Sequence, residues 1–294
     1  MVKHVATCVV LLACFLVLPS NRTGASTLSF TTGDIVISME TGQIQWRLPD
    51  GTLNRTVVGT QIGTTEGLAF DAAGNLYVAR WCTVWCGTAN TVEVFNNAGI
   101  PMGTFGSDYC SPRDIVFDAA GAMYVGQAGG CGATILKFAP GQPVVAFPAA
   151  SENYGAFSID LAPDGCTMFY TSWGVDVKRY DVCTGVQLPN FNVAPLPSRD
   201  SMGLRVLDDG SVVVASGSAI VRLGADGAVA QTYAAPDGEP AWFSGLDLVG
   251  DGTFWVANYE TSNVYRFDIT TGALIAGFNA GTPTHTLVSL RVRR

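Results

Sequence analysis

The chain has 294 residues, of which 48% are hydrophobic and 14% charged, with 34 glycines. That composition excludes a disordered chain, which needs low hydrophobicity and high charge, and a long coiled coil, which would be rich in Ala, Glu, Lys and Leu. With 24 acidic against 16 basic residues and a formal net charge of −8, it lacks the basic face that nucleic-acid binding requires.

Lys3 and His4 open the chain, and the run 5–18 is almost wholly apolar. That length suits a signal-peptide core rather than a membrane span. Thr23, Gly24 and Ala25 supply small residues before a cut after Ala25. The expected organisation is a signal peptide over 1–25 and a single domain over 26–294, secreted or periplasmic. No later stretch reaches 18 apolar residues, so no further membrane contact is predicted. Of eight cysteines, Cys8 and Cys14 fall in the leader. An even number remaining in an exported chain suggests disulfides.

Beyond the leader, one unit repeats. GLAFDAAGNLYVA at 67–79 and DIVFDAAGAMYVG at 114–126 align with SIDLAPDG at 158–165, GLRVLDDG at 203–210 and GLDLVGDG at 245–252. Each is an apolar strand and a turn ending in Gly, whose positive φ suits a tight hairpin, before a second strand. The starts lie 42 to 47 residues apart, the spacing of one four-stranded propeller blade. Each unit also carries a second hairpin: VEVF at 92–95, ILKF at 135–138, VKRY at 177–180, IVRL at 220–223 and VYRF at 264–267. These alternate polar and apolar residues, as half-exposed outer strands do.

The ends complete the count. Residues 34–39 read as a second strand with no first strand before it, and 286–292 as a first strand with nothing after it. Pairing them makes a sixth blade and removes exposed sheet edges. The predicted fold is all-β: a six-bladed β-propeller of four-stranded antiparallel blades, closed by pairing the N- and C-terminal strands in one blade.

Blade geometry also pairs cysteines. Strand 2 starts beside the end of strand 3, which brings Cys166 to Cys183. Strand 1 starts beside the end of strand 2, which brings Cys110 to Cys131 on the opposite face and leaves Cys82 with Cys86. Four cysteines allow three connectivities. A metal site from Cys82, Cys86, Cys110 and Cys131 is the alternative.

The loops entering the first strands and the strand 2–3 loops share one rim of the channel, the usual ligand site of a propeller. Glu66, Arg113 with Asp114, Tyr154, Arg199 with Asp200, Trp242 with Ser244, and His285 stand at or before first strands. Arg80, Trp81 and Trp85 belong to the same rim. Arg80, Arg113 and Arg199 could grip a carboxylate bidentately, and Trp81, Trp85 and Trp242 could stack on sugar faces or clasp a peptide.

The segments 74–79, 90–95 and 103–106 resemble an NHL repeat, and residues 30–292 resemble bacterial NHL-type and gluconolactonase-like propellers. The second resemblance implies a divalent cation at the channel mouth, held by a Glu, an Asn and an Asp. Glu66-Gly67 matches the position of that Glu. The corresponding positions in later blades read Arg113, Phe157, Met202 and Ser244, with Asp114 and Asp200 a residue or two away. Virginiamycin B lyase-like chemistry needs histidines, and after the leader His285 is the only one.

With no complete catalytic set, the expected function is a non-catalytic ligand- or protein-binding module. Its partner would be a small anionic or sugar ligand or a protein, with no cofactor, and the chain would be a monomer. The alternative is a Ca2+-dependent lactonase-like hydrolase around Glu66, Asp114 and Asp200. Asn54-Arg55-Thr56 is a glycosylation sequon.

Overall fold

A computed structural model describes residues 28–59, 63–81, 90–129, 132–236 and 241–294. These form 24 β-strands in six antiparallel four-stranded sheets. Among the described residues no helix is long and apolar enough to cross a membrane. The expected signal peptide over 1–25 lies outside the described residues.

The closing sheet joins both ends of the chain, in the order β24 (Leu287–Val292), β1 (Ile35–Met39), β2 (Gln43–Arg47), β3 (Leu53–Val58). Ile35 pairs with Val292 and Ile37 with Leu290. Backbone bonds from Arg293 N to Asp34 O (2.8 Å) and from Gly33 N to Arg293 O (2.7 Å) extend the seam. The other five sheets are consecutive in sequence. Their inner strands are β4 (Thr64–Phe70), β8 (Pro112–Phe117), β12 (Ile159–Leu161), β16 (Ser201–Val206) and β20 (Phe243–Leu248), and with β24 they ring the channel.

Six hydrophobic clusters lie between neighbouring sheets, one at each blade-to-blade interface. Each sheet is therefore covered on both faces. That explains why second strands such as β1 and β17 (Val212–Ser216) are apolar but for one serine each and fully buried.

Five of the six inner strands share an irregularity. Pairing with the second strand slips between Thr65 and Leu68, Pro112 and Asp114, Ser201 and Leu204, and Phe243 and Gly245. In β24 the slip falls between Leu287 and Ser289. A bulge leaves its extra residue out of the ladder and re-aims its side chain. The residues so released include Glu66, Arg113, Met202, Ser244 and Val288. Gly67 is required beside the first of them, because a Cβ there would come within 2.4 Å of Asp114 Cα on the next blade.

Cys166 and Cys183 form the expected disulfide, with Cα atoms 5.2 Å apart. It joins the turn before β13 (Thr167–Tyr170) to the end of β14 (Lys178–Asp181). Replacing both cysteines with serine should lower stability by about 3 kcal/mol in the chain-entropy account, read as a lower midpoint in urea unfolding. Cys110 is also disulfide-bonded. Cys82, Cys86 and Cys131, and so the two remaining expected pairings, lie outside the described residues.

Candidate functional site

At the mouth of the channel, on the face carrying the strand 2–3 loops, lies a cavity of about 640 Å3 including space open to solvent. Its floor has one residue from each blade: Glu66, Arg113, Phe157, Met202, Ser244 and Val288. The bulges explain five of these. Phe157 stands just before the short strand β12, its N–H bonded to Thr171 O at 2.9 Å. The same six side chains roof a smaller, deeper space that reaches down to Asp114 and Arg205.

Aromatic rings make the wall: Trp81, Tyr154, Trp173, Trp242 and Tyr259 join Phe157 around the opening. Trp173 stacks on Tyr154 (centroids 4.8 Å) and on Phe157 (5.6 Å). Trp173 itself has a φ of 49°, a left-handed conformation that costs a bulky residue about 1–3 kcal/mol. Its loop is cast around Glu152, whose carboxylate accepts bonds from Val175 N and Asp176 N. Trp242 meets Tyr259 edge-on at 5.6 Å, and Tyr259 N donates to Trp242 O at 2.9 Å.

Glu66 and Arg113 form a buried ion pair on the floor, Nη1 to Oε1 at 2.7 Å. Thr64 Oγ1 donates to the same carboxylate oxygen at 3.1 Å, and Arg113 Nη2 donates to the Tyr154 hydroxyl at 3.2 Å. The Arg113 guanidinium lies 4.0 Å from the Trp81 ring centroid and 5.3 and 5.4 Å from those of Tyr154 and Phe157. Burial pushes the Glu66 carboxyl above its usual range, and the charge of Arg113 only partly offsets it. The sign follows: a raised carboxyl stabilises the fold below its unfolded value near 4.3, and that contribution is lost as pH rises through the folded pKa. Stability of the native chain should therefore fall more steeply between acid and neutral pH than that of Glu66→Gln. Parallel pH–stability curves would show that Glu66 titrates normally.

Above the floor, Tyr259 donates its hydroxyl to Glu40 Oε1 at 2.8 Å. Its phenol is pushed up to about 12, first by burial, then by the hydrogen bond and charge of Glu40 and by the charges of Glu260 and Glu66. His285 stands outside the lining, half-exposed, with Nε2 2.7 Å from Glu260 Oε2.

Of the expected rim residues, Trp81, Arg113, Tyr154, Trp242 and Ser244 line the cavity with Glu66. Arg80 does not. It is fully buried within its blade, with Nε 2.5 Å from Glu93 Oε2 and Nη1 donating to Gly42 O at 3.2 Å. The alternation of strand β5 (Leu76–Trp81) sends Trp81 to the cavity and its neighbour sideways. Arg199 and Asp200 are exposed and outside the lining. Trp85 lies outside the described residues. The three arginines thus do not converge, and the one in the cavity is already neutralised.

Asp114 sits below the floor in a buried axial network. Its Oδ2 accepts from Ser158 Oγ at 2.8 Å and lies 3.4 Å from Arg205 Nη1, while Oδ1 is 3.6 Å from Arg291 Nη2. Asp247 Oδ1 faces Arg205 Nε at 2.7 Å and Arg291 Nη1 at 3.3 Å. Asp200 is therefore not brought to Glu66 and Asp114, and no cluster of three metal-ligating side chains occurs among the described residues. The carboxylates of Glu66 and Asp114 are committed to arginines, so this set does not fit a divalent cation.

Sequence reasoning missed Glu40, Trp173, Tyr259 and Val288 as lining residues. Glu40 and Tyr259 directly follow the second strands β1 and β21 (Thr253–Asn258), the place that β5 fills with Trp81. Reading that position in every blade would have found both.

No protein-family model matches the chain, and no match is found among curated protein sequences. Solved structures do match. A chain in the crystal structure of a nidogen/laminin complex superposes with a TM-score of 0.70 at 14% identity, covering 88% of this chain and 97% of that one. A protein of unknown function from Bacteroides caccae gives 0.69 at 12% identity, covering 88% and 98%. Virginiamycin B lyase from Staphylococcus aureus gives 0.58 at 12% identity, covering 76% and 73%. At such identities these likenesses show the fold. The chain is a β-propeller.

Proposed function

We propose that this chain is an exported, NHL-like propeller that binds a small ligand, or a side chain of a partner, in the aromatic cavity at its channel mouth without transforming it. The observation that carries this reading is the six-ring wall around a floor whose one acid and one base already neutralise each other. A cavity of this size with apolar walls and few polar groups is the usual form of a small-molecule site. Propellers of this shape are found both in a nidogen/laminin complex and in a lyase, so the fold accommodates binding and catalysis alike. Among the described residues, the commitment of Glu66 and Asp114 to arginines disfavours the lactonase alternative.

The test is a thermal-shift panel of sugars, carboxylic acids and organic amines against the native chain and Trp242→Ala. A true ligand at a hundredfold excess over Kd stabilises the native chain by about 2.7 kcal/mol and leaves the variant nearly unmoved. Equal stabilisation of both proteins would place the site elsewhere, and a panel without response would remove the reading.

A further inference from the structure

We infer that the ligand of this cavity carries a weakly hydrated organic cation, of the quaternary ammonium class, held against Trp242 and Tyr259 with Glu40 as counter-charge. The inference rests on the cavity being a ligand site, as proposed above, and adds the chemistry of what enters it.

Three observations lead there. First, the lining carries two carboxylates, Glu40 and Glu66, against one guanidinium, Arg113. Arg113 is spoken for by Glu66 at 2.7 Å. Glu40 has the Tyr259 hydroxyl as a neutral donor and remains exposed at the opening. The unbalanced charge of the cavity is therefore negative and lies on the Trp242–Tyr259 side.

Second, the wall already holds one cation by its ring faces. The Arg113 guanidinium sits 4.0 to 5.4 Å from the centroids of Trp81, Tyr154 and Phe157, within the range of cation–π attraction. Trp242 and Tyr259, edge to face at 5.6 Å, form a second aromatic pair across the same opening. No cation–π contact to either ring occurs among the described residues.

Third, the indole nitrogens of Trp173 and Trp242 are covered and have no hydrogen-bond partner. What these two side chains offer the cavity is carbon surface rather than N–H donors. A ligand recognised by many hydrogen bonds, or an anion needing donors, finds little there. A primary ammonium, with three N–H groups to satisfy, would lose more hydration than these walls return. A trimethylammonium group has no N–H and suits ring faces and one nearby carboxylate.

The experiment is calorimetry of the native chain with choline, with ethanolamine, and with the uncharged choline isostere in which tert-butyl replaces trimethylammonium. We expect choline to bind about tenfold more tightly than either of the others, the order of one desolvated cation–π contact. Trp242→Ala should abolish the preference, and Glu40→Gln should weaken choline several-fold while leaving the isostere unchanged. Thermal melts verify that both variants fold, and Glu40→Gln keeps an acceptor for Tyr259. Equal affinity for choline and the isostere, tighter binding of ethanolamine, or choline binding that ignores both substitutions would each overturn the inference. So would failure of all three compounds. If sugars or acids in the panel above still bind in a Trp242-dependent way, the cavity remains a ligand site and only its cationic character falls.

Discussion

Deleting residues 286–294 should abolish cooperative folding. These residues supply β24, and Leu287, Leu290 and Val292 on it are buried to within 2% exposure. Each such side chain contributes about 1.5–3 kcal/mol, so the three together approach the whole stability of an ordinary domain, about 5–15 kcal/mol. The strand also closes the ring: without it β1 and β4 each lose a neighbour, and the cluster between the last blade and the first is opened. Loss of a sharp urea transition and gain of dye-binding apolar surface are the expected signs. A truncated chain that melts cooperatively near the native midpoint would show that the seam between the termini is dispensable.

Asp247→Ala comes next in size, at about 3–5 kcal/mol, the usual consequence of removing one partner from a buried ion network. Asp247 is fully buried. Besides Arg205 and Arg291, it accepts a bond from Val292 N at 2.8 Å, so it ties the axial charges to the closing strand. Without it two buried guanidiniums, Arg205 and Arg291, are left with Asp114 and with the nearby charge of Asp160 on β12. Burial pushes the Asp247 carboxyl up, but Arg291 and Arg205 outweigh that and hold it below the usual range. Its contribution is then complete above the unfolded value near 3.9 and is lost as pH falls through the lower folded pKa. The gap in unfolding free energy between the native chain and Asp247→Asn should accordingly be constant near neutral pH and close in strong acid. A loss under 1 kcal/mol for Asp247→Ala would mean that the network relaxes around the gap.

These two effects have different visibility in the sequence. Ring closure was legible because a strand without a partner at each end completes the count set by the Gly-turn repeat. The floor of the cavity was largely legible too. Glu66, Arg113, Phe157, Met202 and Ser244 occupy matching places in successive repeats, and only Val288, on the split blade, escaped. The axial network was not legible, since Asp114, Arg205, Asp247 and Arg291 come from four blades and meet only when the ring closes. Arg205, Asp247 and Arg291 look like the solvent-facing half of alternating strands, and Asp114 like a rim residue. Arg80 misled for the opposite reason: a cation at a strand end reads as rim, yet Glu93 on the adjacent strand holds it inside the sheet. Trp173 sits in a loop without a repeat marker, where a left-handed φ rather than any sequence pattern turns its ring onto Tyr154.

The most direct test of the account is fluorine NMR of the chain labelled with 5-fluorotryptophan, each resonance assigned by a single Trp→Phe replacement. Of the six tryptophans, Trp81, Trp173 and Trp242 line the cavity, while Trp46 and Trp255 are buried in the packing between blades. Titration with tetramethylammonium should move the three cavity resonances along one saturable curve and leave those of Trp46 and Trp255 in place. Resonances that stay fixed at the mouth, or that shift only in the core, would contradict an organic-cation site at the head of the channel.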